Sequence, residues 1–224
     1  MEHKKGIYEK YIKRVLDFIL SLIAFICLSP ILLIVAILVR TKLGKPIIFK
    51  QQRPGRDEKI FTLYKFRTMT DEKDVNGEML PDDVRLTNFG RFLRSTSLDE
   101  LPELINIIKG DMSIVGPRPQ LVRDMLFMTK EQRKRHTVRQ GLTGLAQVNG
   151  RNNITWEEKI NYDLKYIEHI TFIEDVKIVI KTVVKVFEKD DINTEGMDTA
   201  EDLCDYLLRT GRITEEEYNE KIKM

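Results

Sequence analysis

Asp99 and Glu100 are the residues best suited to chemistry, two adjacent carboxylates that stand directly before a short apolar run. Pro102 is tolerated only in the first turn of a helix and Gly110 is typical of a helix end, so we expect a helix that begins near Asp99. A carboxylate at the positive end of a helix can serve as a nucleophile or as a ligand of a divalent cation. The competing interpretation is structural, with Asp99 as an N-cap or with Ser97 and Glu100 as a capping box. Without further context, the residues favour that structural interpretation.

Arg118 is the strongest candidate for binding a phosphate group. It stands between Pro117 and Pro119, which stiffen the backbone on both sides, and a glycine precedes this segment. A guanidinium held in a rigid segment can bind a phosphate through two parallel hydrogen bonds. A second arginine, Arg151, ends a glycine-punctuated stretch that begins at Gly141, although such a stretch can also be no more than a series of turns.

Two short strands are predicted between Pro46 and Thr70, where apolar and polar residues alternate on both sides of a turn at Arg53–Asp57. Lys65 and Arg67 fall one strand period apart and therefore share a face of the second strand. That face can point at an anionic ligand or simply at solvent, and the spacing does not decide between the two.

A membrane segment precedes these motifs. Val15 to Val39 is 25 residues long and contains one charge, Asp17, and a helix of that length would reach about 38 Å, enough to cross a bilayer. Ser29 and Pro30 divide the segment, and basic residues flank both of its ends, which favours a cytoplasmic position for both. These features predict a re-entrant hairpin of helix, break and helix, with a kinked spanning helix as the alternative.

The segment from Trp156 to Phe187 is predicted to be mainly helical. Its last part places Lys177, Lys181 and Lys185 four residues apart among branched apolar residues. Such a helix suits a surface of anionic lipid, and a core helix with a solvated lysine stripe is the alternative.

The C-terminal end predicts two short helices, at Thr199–Thr210 and Thr214–Lys223, with Gly211 as the cap between them. Thr214 and Glu217 have the spacing of a capping box. The stretch Leu207–Met224 resembles a short helical module found at the C-terminus of many unrelated bacterial proteins. Self-association as a homodimer is the role we expect for it.

Composition narrows the class of protein. The 224 residues carry 37 basic and 35 acidic side chains, with 14 basic against 5 acidic in the first 69 residues and 5 against 12 in the last 37. The middle of the chain is balanced, so we do not expect it to bind nucleic acid. Two cysteines, Cys27 and Cys204, make neither a disulfide framework nor a metal site, which indicates a reducing compartment.

Five motifs, taken in order, resemble the bacterial sugar transferases known as monotopic phosphoglycosyl transferases. They are the proline-interrupted apolar segment and the stretches FKQQRPGRDEKIFTLYKFRTM, RSTSLDEL, KGDMSIVGPRP and GLTGLAQVNGR. The resemblance covers about residues 13 to 190, and it is specific because all five motifs appear in the family's order. Gln140 stands where the family usually has proline, and Asp57 and Glu58 replace a commoner glycine, which affects local turns more than chemistry.

The resemblance implies a membrane enzyme that transfers a sugar-1-phosphate from a UDP-sugar to a polyprenol phosphate such as undecaprenyl phosphate. UMP is released, and a lipid-linked glycan such as an exopolysaccharide is started. Asp99 would form a covalent phosphosugar intermediate, and Asp99 and Glu100 would act with Mg²⁺, Glu100 either as a ligand or as the acceptor of a proton. The cations expected to hold the diphosphate are Lys65, Arg94, Arg118 and Arg151.

The expected fold is mostly α with a small β element. Residues 1–46 would form the membrane hairpin, 47–190 a compact catalytic domain with amphipathic interfacial helices, and 191–224 an acidic two-helix module. The catalytic domain would face the cytoplasm from the bacterial inner membrane without the chain crossing it. Asp163 and Asp175 are expected to orient the arginines, or else to be acids on a helix surface.

Two other functions remain as alternatives. One is a membrane-tethered protein that binds phosphorylated ligands or polyanions without chemistry. The other is a glycosyltransferase that uses a UDP-sugar and releases UDP. The nucleotide product distinguishes the three, because UMP, UDP and no turnover each fit only one of them.

Overall fold

Residues 6–150, 154–188 and 201–223 are described by the structure, a computed structural model of the chain. They are mostly helical with a small β content, as predicted, although only the first of the two small sheets was expected. The strands are β1 (Ile48–Pro54), β2 (Ile60–Phe66), β3 (Met112–Val115) and β4 (Gln140–Thr143). The α-helices are α1 (Lys13–Lys42), α2 (Asp82–Arg85), α3 (Asn88–Ser95), α4 (Glu103–Lys109), α5 (Val122–Phe127), α6 (Leu145–Val148), α7 (Trp156–Glu168), α8 (Phe172–Glu188), α9 (Leu203–Arg209) and α10 (Glu215–Ile222). Short 3₁₀ helices occupy Arg56–Glu58, Leu98–Glu100 and Gln132–Thr137, and a π-helical turn, Tyr8–Ile12, leads into α1.

The predicted strand pair is confirmed as an antiparallel hairpin of β1 and β2, with Ile48 opposite Phe66. Leu63 and Phe66 are both buried although they lie on opposite faces of β2. Leu63 packs in the cluster that contains α4, and Phe66 packs in the cluster that contains α1. Both faces of the strand are therefore packed against other elements, which holds the residues between Leu63 and Phe66 in place.

The glycine stretch that begins at Gly141 permits a close crossing of two backbones. β3 and β4 pair in parallel, and Gly116 follows β3 directly. A Cβ atom on Gly141 would lie 2.1 Å from the Gly116 nitrogen, and one on Gly144 would lie 2.2 Å from the Gly116 oxygen. Atoms cannot approach so closely, so these positions require glycine for packing.

The predicted break at Ser29 and Pro30 is wrong as a break in secondary structure, because α1 continues through both residues from Lys13 to Lys42. Pro30 has no N–H to offer to the carbonyl group of Ile26, four residues earlier. The Ser29 hydroxyl donates to that carbonyl oxygen at 2.8 Å instead. The serine thus replaces the hydrogen bond that the proline removes, and the helix continues.

Helix α1, with the turn before it, is long and apolar enough to cross a membrane. It nevertheless contacts the rest of the chain along one narrow stripe, since Lys13, Asp17 and Ser21 are buried near its start and Val35 and Val39 near its end. Within each of these two groups, successive buried residues are four positions apart, which places them on one face of the helix. Both ends of α1 therefore pack against the same body of the protein.

Polar contacts fasten the first half of α1. Arg14 donates to the carbonyl oxygens of Ile107 and Ile108, at 2.6 and 2.8 Å, near the C-terminal end of α4. Asp17 accepts a hydrogen bond from the Ser113 hydroxyl at 2.6 Å and another from the backbone of β3. The one charge within the apolar segment is thus buried and hydrogen-bonded.

The helical segment predicted from Trp156 onward is confirmed as two helices, α7 and α8. Helix α8 buries Asp175 and Ile178 but leaves an apolar face exposed. The exposed residues are Phe172, Ile173, Val176, Val179, Ile180, Val183 and Val184. At 100° per residue, Lys177, Lys181 and Lys185 lie at the border between this face and the buried one.

The two predicted C-terminal helices are confirmed as α9 and α10, and we call residues 201–223 the C-terminal module. Gly211 lies between the helices with a φ of 68°. The capping box is present, since the Glu217 amide donates to the Thr214 hydroxyl and the Thr214 amide donates to the Glu217 carboxylate. The module packs on α5 and α7 rather than extending away from them.

Candidate active site

Asp99 lies in the 3₁₀ turn that precedes α4, and the side chain is buried. The α-helix itself begins at Glu103, four residues later than predicted, with Pro102 as its N-cap. Neither predicted cap is present: Ser97 makes no capping hydrogen bond and adopts a left-handed backbone with a φ of 54°. The bend at Ser97 separates the 3₁₀ turn from α3, and Pro102, which has no backbone amide, stands between the turn and the start of α4.

Helix α4 is fixed to the hairpin by the buried residue Asn106. Its side-chain oxygen accepts from the backbone amide of Tyr64 at 3.1 Å, and its nitrogen donates to the carbonyl oxygen of Thr62 at 2.7 Å. Both partners belong to β2, which also carries Lys65. The turn with Asp99 and the strand with Lys65 are therefore held together by hydrogen bonds as well as by apolar packing.

Glu100 binds two of the predicted cations at once. Its Oε1 atom accepts from Lys65 Nζ at 2.8 Å and from Arg118 Nη2 at 2.5 Å. Lys65 Nζ also lies 3.1 Å from an oxygen of Glu103, which is almost fully buried. Two carboxylates and two cations thus form one connected group, and Asp99 stands beside it without a hydrogen bond or ion pair to any described residue.

The environment separates the pKa values of these carboxylates. Burial, with the neighbouring charge of Glu100, raises the pKa of Asp99 to about 6. Burial likewise raises the pKa of Glu103 to about 7. Burial acts in the same direction on Glu100, but the charges of Arg118 and Lys65 outweigh it and lower its pKa. Glu100 is therefore ionised at any physiological pH, and Asp99 is ionised in most molecules at pH 7.

Asp99 has a carboxylate that is free to react. Within the described part of the chain, no residue donates a hydrogen bond to it or forms an ion pair with it, although Lys65 and Arg118 are close enough to act on its charge. A carboxylate in this setting suits a nucleophile or a metal ligand.

A magnesium ion fits the donor set in part. Among the described residues, no group of three acidic, histidine or cysteine side chains is arranged to hold a metal ion by itself. Mg²⁺ commonly takes only one or two carboxylates and completes its shell with water and substrate phosphates. Asp99 and Glu100 supply the hard oxygen atoms that such a site needs.

A cleft of about 1450 Å³ brings the predicted residues together. Asp99 and Glu100 line it with Lys65, Arg94 and Arg118. Arg94 is held by a hydrogen bond of 3.2 Å to the Thr68 hydroxyl. Arg151, the fourth predicted cation, lies outside the described residues.

Asp163 and Asp175 are both buried, so the alternative that they are acids on a helix surface is wrong. Asp163 binds Arg135 at 2.6 Å, and Arg135 in turn donates to the backbone oxygen of Arg118 at 2.7 Å. Asp163 thus supports the Arg118 segment through an arginine that was not predicted.

Asp175 joins two helices instead of orienting an arginine. It accepts hydrogen bonds from Tyr8, which precedes α1, at 2.8 Å and from Lys13, the first residue of α1, at 2.5 Å. It also accepts one from Tyr166 of α7 at 2.7 Å. Its expected role in orienting the catalytic arginines is therefore replaced by a structural one.

Sequence reasoning missed several charged residues that line the cleft, among them Arg53, Glu103, Arg123 and Lys159. Glu103 follows Glu100 by three residues, so the two share a side of a helical turn, and this spacing was a usable signal. Arg53 donates to the carbonyl oxygen of Pro119 at 3.3 Å. Burial and the charge of Arg118 lower the pKa of Arg53 to about 10.

Comparisons with known proteins give matches over most of the chain. The family model described as bacterial sugar transferase matches residues 8–189. A protein of Bacillus subtilis, "Uncharacterized sugar transferase EpsL", is 48% identical over 190 residues, which cover 85% of this chain and 94% of that protein.

Two further relatives have names that state an activity. The "UDP-glucose:undecaprenyl-phosphate glucose-1-phosphate transferase" of Klebsiella pneumoniae is 43% identical over 187 residues, 78% of this chain and 40% of that protein. The "Undecaprenyl-phosphate galactose phosphotransferase" of Salmonella typhimurium is 35% identical over 198 residues, 81% of this chain and 41% of that protein. This chain therefore spans about two fifths of the length of these two relatives. With a family match over most of its length and the acidic pair and cations gathered in one cleft, this chain belongs to the bacterial sugar transferase family.

Proposed function

We propose that this protein transfers a sugar-1-phosphate from a UDP-sugar to a polyprenol phosphate such as undecaprenyl phosphate, releasing UMP and starting a lipid-linked glycan. The observation that carries the proposal is the placement of a buried, unpaired Asp99 beside Lys65 and Arg118 in one cleft, the lack of a pairing partner referring to the described residues. Relatives named for the transfer of glucose-1-phosphate and galactose phosphate make UDP-hexoses the first donors to test.

The reaction proceeds in two displacements at one phosphorus. An oxygen atom of Asp99 attacks the phosphorus that bears the sugar, and UMP leaves with the electron pair of the broken phosphorus–oxygen bond. An oxygen atom of the polyprenol phosphate then attacks the same phosphorus, and the bond to Asp99 breaks. The carboxylate is regenerated, so the enzyme returns to its first state. A pKa of about 6 leaves Asp99 ionised yet more basic than an ordinary aspartate, which suits this role.

The neighbouring charges make the attack feasible. A carboxylate and a diphosphate repel each other, and Lys65, Arg94 and Arg118 offset that repulsion by binding the phosphate oxygens. Glu100 holds Lys65 and Arg118 in position, and its lowered pKa suits the binding of a cation better than the acceptance of a proton. Arg151 is proposed for the same phosphate-binding role as the three other cations.

Asp99 and Glu100 would also hold Mg²⁺, together with phosphate oxygens of the substrate. When bound, the ion supplies positive charge that stabilises the anionic groups around the reacting phosphorus. The residues of this chain would still provide the nucleophile and the orientation of the donor.

The protein is monotopic in this proposal, with both ends of α1 on the cytoplasmic face of the inner membrane. A helix that crossed the bilayer would carry its two ends to opposite sides, about 30 Å apart. The support is that Lys13 and Asp17 near one end, and Val35 and Val39 near the other, pack against the same body of the protein. The exposed apolar sides of α1 and α8 would contact lipid, and the lysine border of α8 would meet the head groups.

This placement predicts that tags at both termini are accessible only from the cytoplasm. In spheroplasts an impermeant protease should leave both tags intact, and it should remove both after lysis. A periplasmic protein with the same tag serves as the control for protease access. Removal of the N-terminal tag from intact spheroplasts would instead establish a spanning helix.

Product analysis tests the function. Purified protein in detergent or nanodiscs should convert a UDP-hexose, a polyprenol phosphate and Mg²⁺ to UMP and a lipid-linked diphosphate sugar. The panel should contain UDP-glucose, UDP-galactose and their N-acetylated forms. Release of UDP would support the glycosyltransferase alternative, and binding of UDP-sugars with no turnover of any would support the non-catalytic one.

A further inference from the structure

The C-terminal module lies beyond the family match, which ends at residue 189. It nevertheless lines the cleft that contains Asp99, through Glu201 and Asp202. Glu201 contacts Trp156 and Asp202 contacts Arg123, and both of these partners line the cleft and belong to the matched region. This chain therefore completes one side of its cleft with residues that the family model does not include.

Buried contacts dock the module on α5. Asp124 is fully buried, and its two carboxylate oxygens accept from the backbone amides of Leu121, at 3.0 Å, and Leu203, at 2.9 Å. One carboxylate thus caps the start of α5 and anchors the start of α9. Arg123 forms an ion pair with Asp202 beside this contact.

Apolar packing adds to the docking and includes the only tryptophan of the chain, Trp156. Leu203 and Cys204 are fully buried in one cluster with Phe127 and Trp156. The indole N–H of Trp156 donates to the carbonyl oxygen of Glu201 at 3.1 Å. Loss of docking would therefore expose Trp156 and remove its hydrogen-bond partner.

The docked helix α5 stands next to the phosphate-binding segment. Leu121, which donates to Asp124, is three residues after Arg118. The segment from Arg118 to Leu121 is also held by Arg53, which donates to the carbonyl oxygen of Pro119. Arg135 donates to the carbonyl oxygen of Arg118. Asp124, together with the C-terminal module, holds the C-terminal end of this segment in place.

We propose that the C-terminal module is a wall of the substrate cleft and a positioning element for the Arg118 segment, so that affinity for the donor depends on its docking. This inference rests on the proposed function for its kinetic consequence, but docking itself can be measured without turnover. Leu203 is a positioning residue in this scheme, since it acts through α5 and does not line the cleft, whereas Asp202 both lines the cleft and pairs with Arg123 of α5.

Leu203→Asp tests the proposal by placing a charge in the buried interface. Asp202→Asn is a milder test that weakens the ion pair of Arg123, which also lies 3.3 Å from Asp205. Glu220→Gln is the matched control, because it removes one negative charge from an exposed position of the module. The emission of Trp156 should shift to longer wavelength and become accessible to acrylamide in Leu203→Asp, and by a smaller amount in Asp202→Asn. The control should match the wild type.

The kinetic readout is the KM for UDP-glucose or another accepted UDP-hexose. We expect it to rise about tenfold in Leu203→Asp and roughly threefold in Asp202→Asn, with kcat changed less than about threefold, because misplacement of a positioned group weakens donor binding first. An exposed Trp156 with an unchanged KM would overturn the proposal, and so would an emission that neither variant shifts. Absence of turnover in the wild type would instead refute the proposed function, while the fluorescence would still report docking.

Discussion

Asp99→Asn should reduce sugar-phosphate transfer by at least about a thousandfold, because an amide of the same size cannot form the acyl phosphate on which the reaction depends. Wild-type protein incubated with donor alone should become labelled on Asp99 and release one equivalent of UMP, whereas the variant should do neither. Liquid chromatography with mass spectrometry of the peptide that contains residue 99 measures the label directly.

Folding of this variant should not suffer. Burial raises the pKa of Asp99, which means that its ionised form destabilises the folded state at neutral pH. Replacement by a neutral amide should therefore leave the thermal midpoint unchanged or higher, and membrane association should remain. Asp83→Asn, the same substitution at an exposed site on α2, is the control and should be fully active. Near-normal turnover of Asp99→Asn would remove this residue from the role of nucleophile.

Arg118→Ala should lower kcat/KM by about a hundredfold, a typical effect of removing one group that stabilises charge in a transition state. The Arg118 side chain is 40% exposed and faces the cleft, so it can bind a phosphate while one of its nitrogen atoms stays on Glu100. Steady-state kinetics with the same UDP-hexose measures the loss. Arg118→Lys keeps the charge but not the planar pair of donors, and we expect an intermediate loss from it.

A matched control for this change is Arg133→Ala. Arg133 also pairs with a glutamate, Glu58, but neither residue lines the cleft. Its loss should leave kcat/KM within about twofold of the wild type, since exposed ion pairs contribute little to stability. If Arg118→Ala were as active as this control, the ion pair between Arg118 and Glu100 would be structural only.

Local patterns in the sequence predicted local structure well. The alternation around the turn at Arg53–Asp57 predicted the hairpin, because side-chain burial on a strand repeats every two residues. Gly110 ends α4 with a φ of 93°, as a glycine at that position suggests. The spacing of Thr214 and Glu217 predicted a capping box that the structure contains. Each of these depends on residues that are close in the chain.

The predictions that were wrong depend on contacts between residues distant in the chain, or on a local effect that the sequence pattern did not reveal. Asp163 and Asp175 carry no sequence signal for their partners, because Arg135 and Lys13 are far from them in the chain. The start of α4 was placed too early because a 3₁₀ turn has the same composition as the first turn of an α-helix. The effect of Pro30 was overestimated because one neighbouring hydroxyl replaces the missing hydrogen bond.

The candidate site itself was predicted largely through resemblance. Adjacent acids at positions 99 and 100 were visible, yet their residue types alone favoured a helix cap. The pairing of Glu100 with Lys65, 35 positions away, depends on how Asn106 joins α4 to β2. Glu103 escaped notice because an acid in the first turn of a helix ordinarily needs no functional explanation.

The crossing at Gly116, Gly141 and Gly144 has a consequence for how relatives are recognised. Any side chain at these three positions would collide with main-chain atoms. Glycine is therefore required there by the path of the backbone, whichever hexose the donor carries. A search pattern built on them would retrieve proteins with this topology whatever donor they use. Sorting those proteins by donor requires the side chains that line the cleft instead.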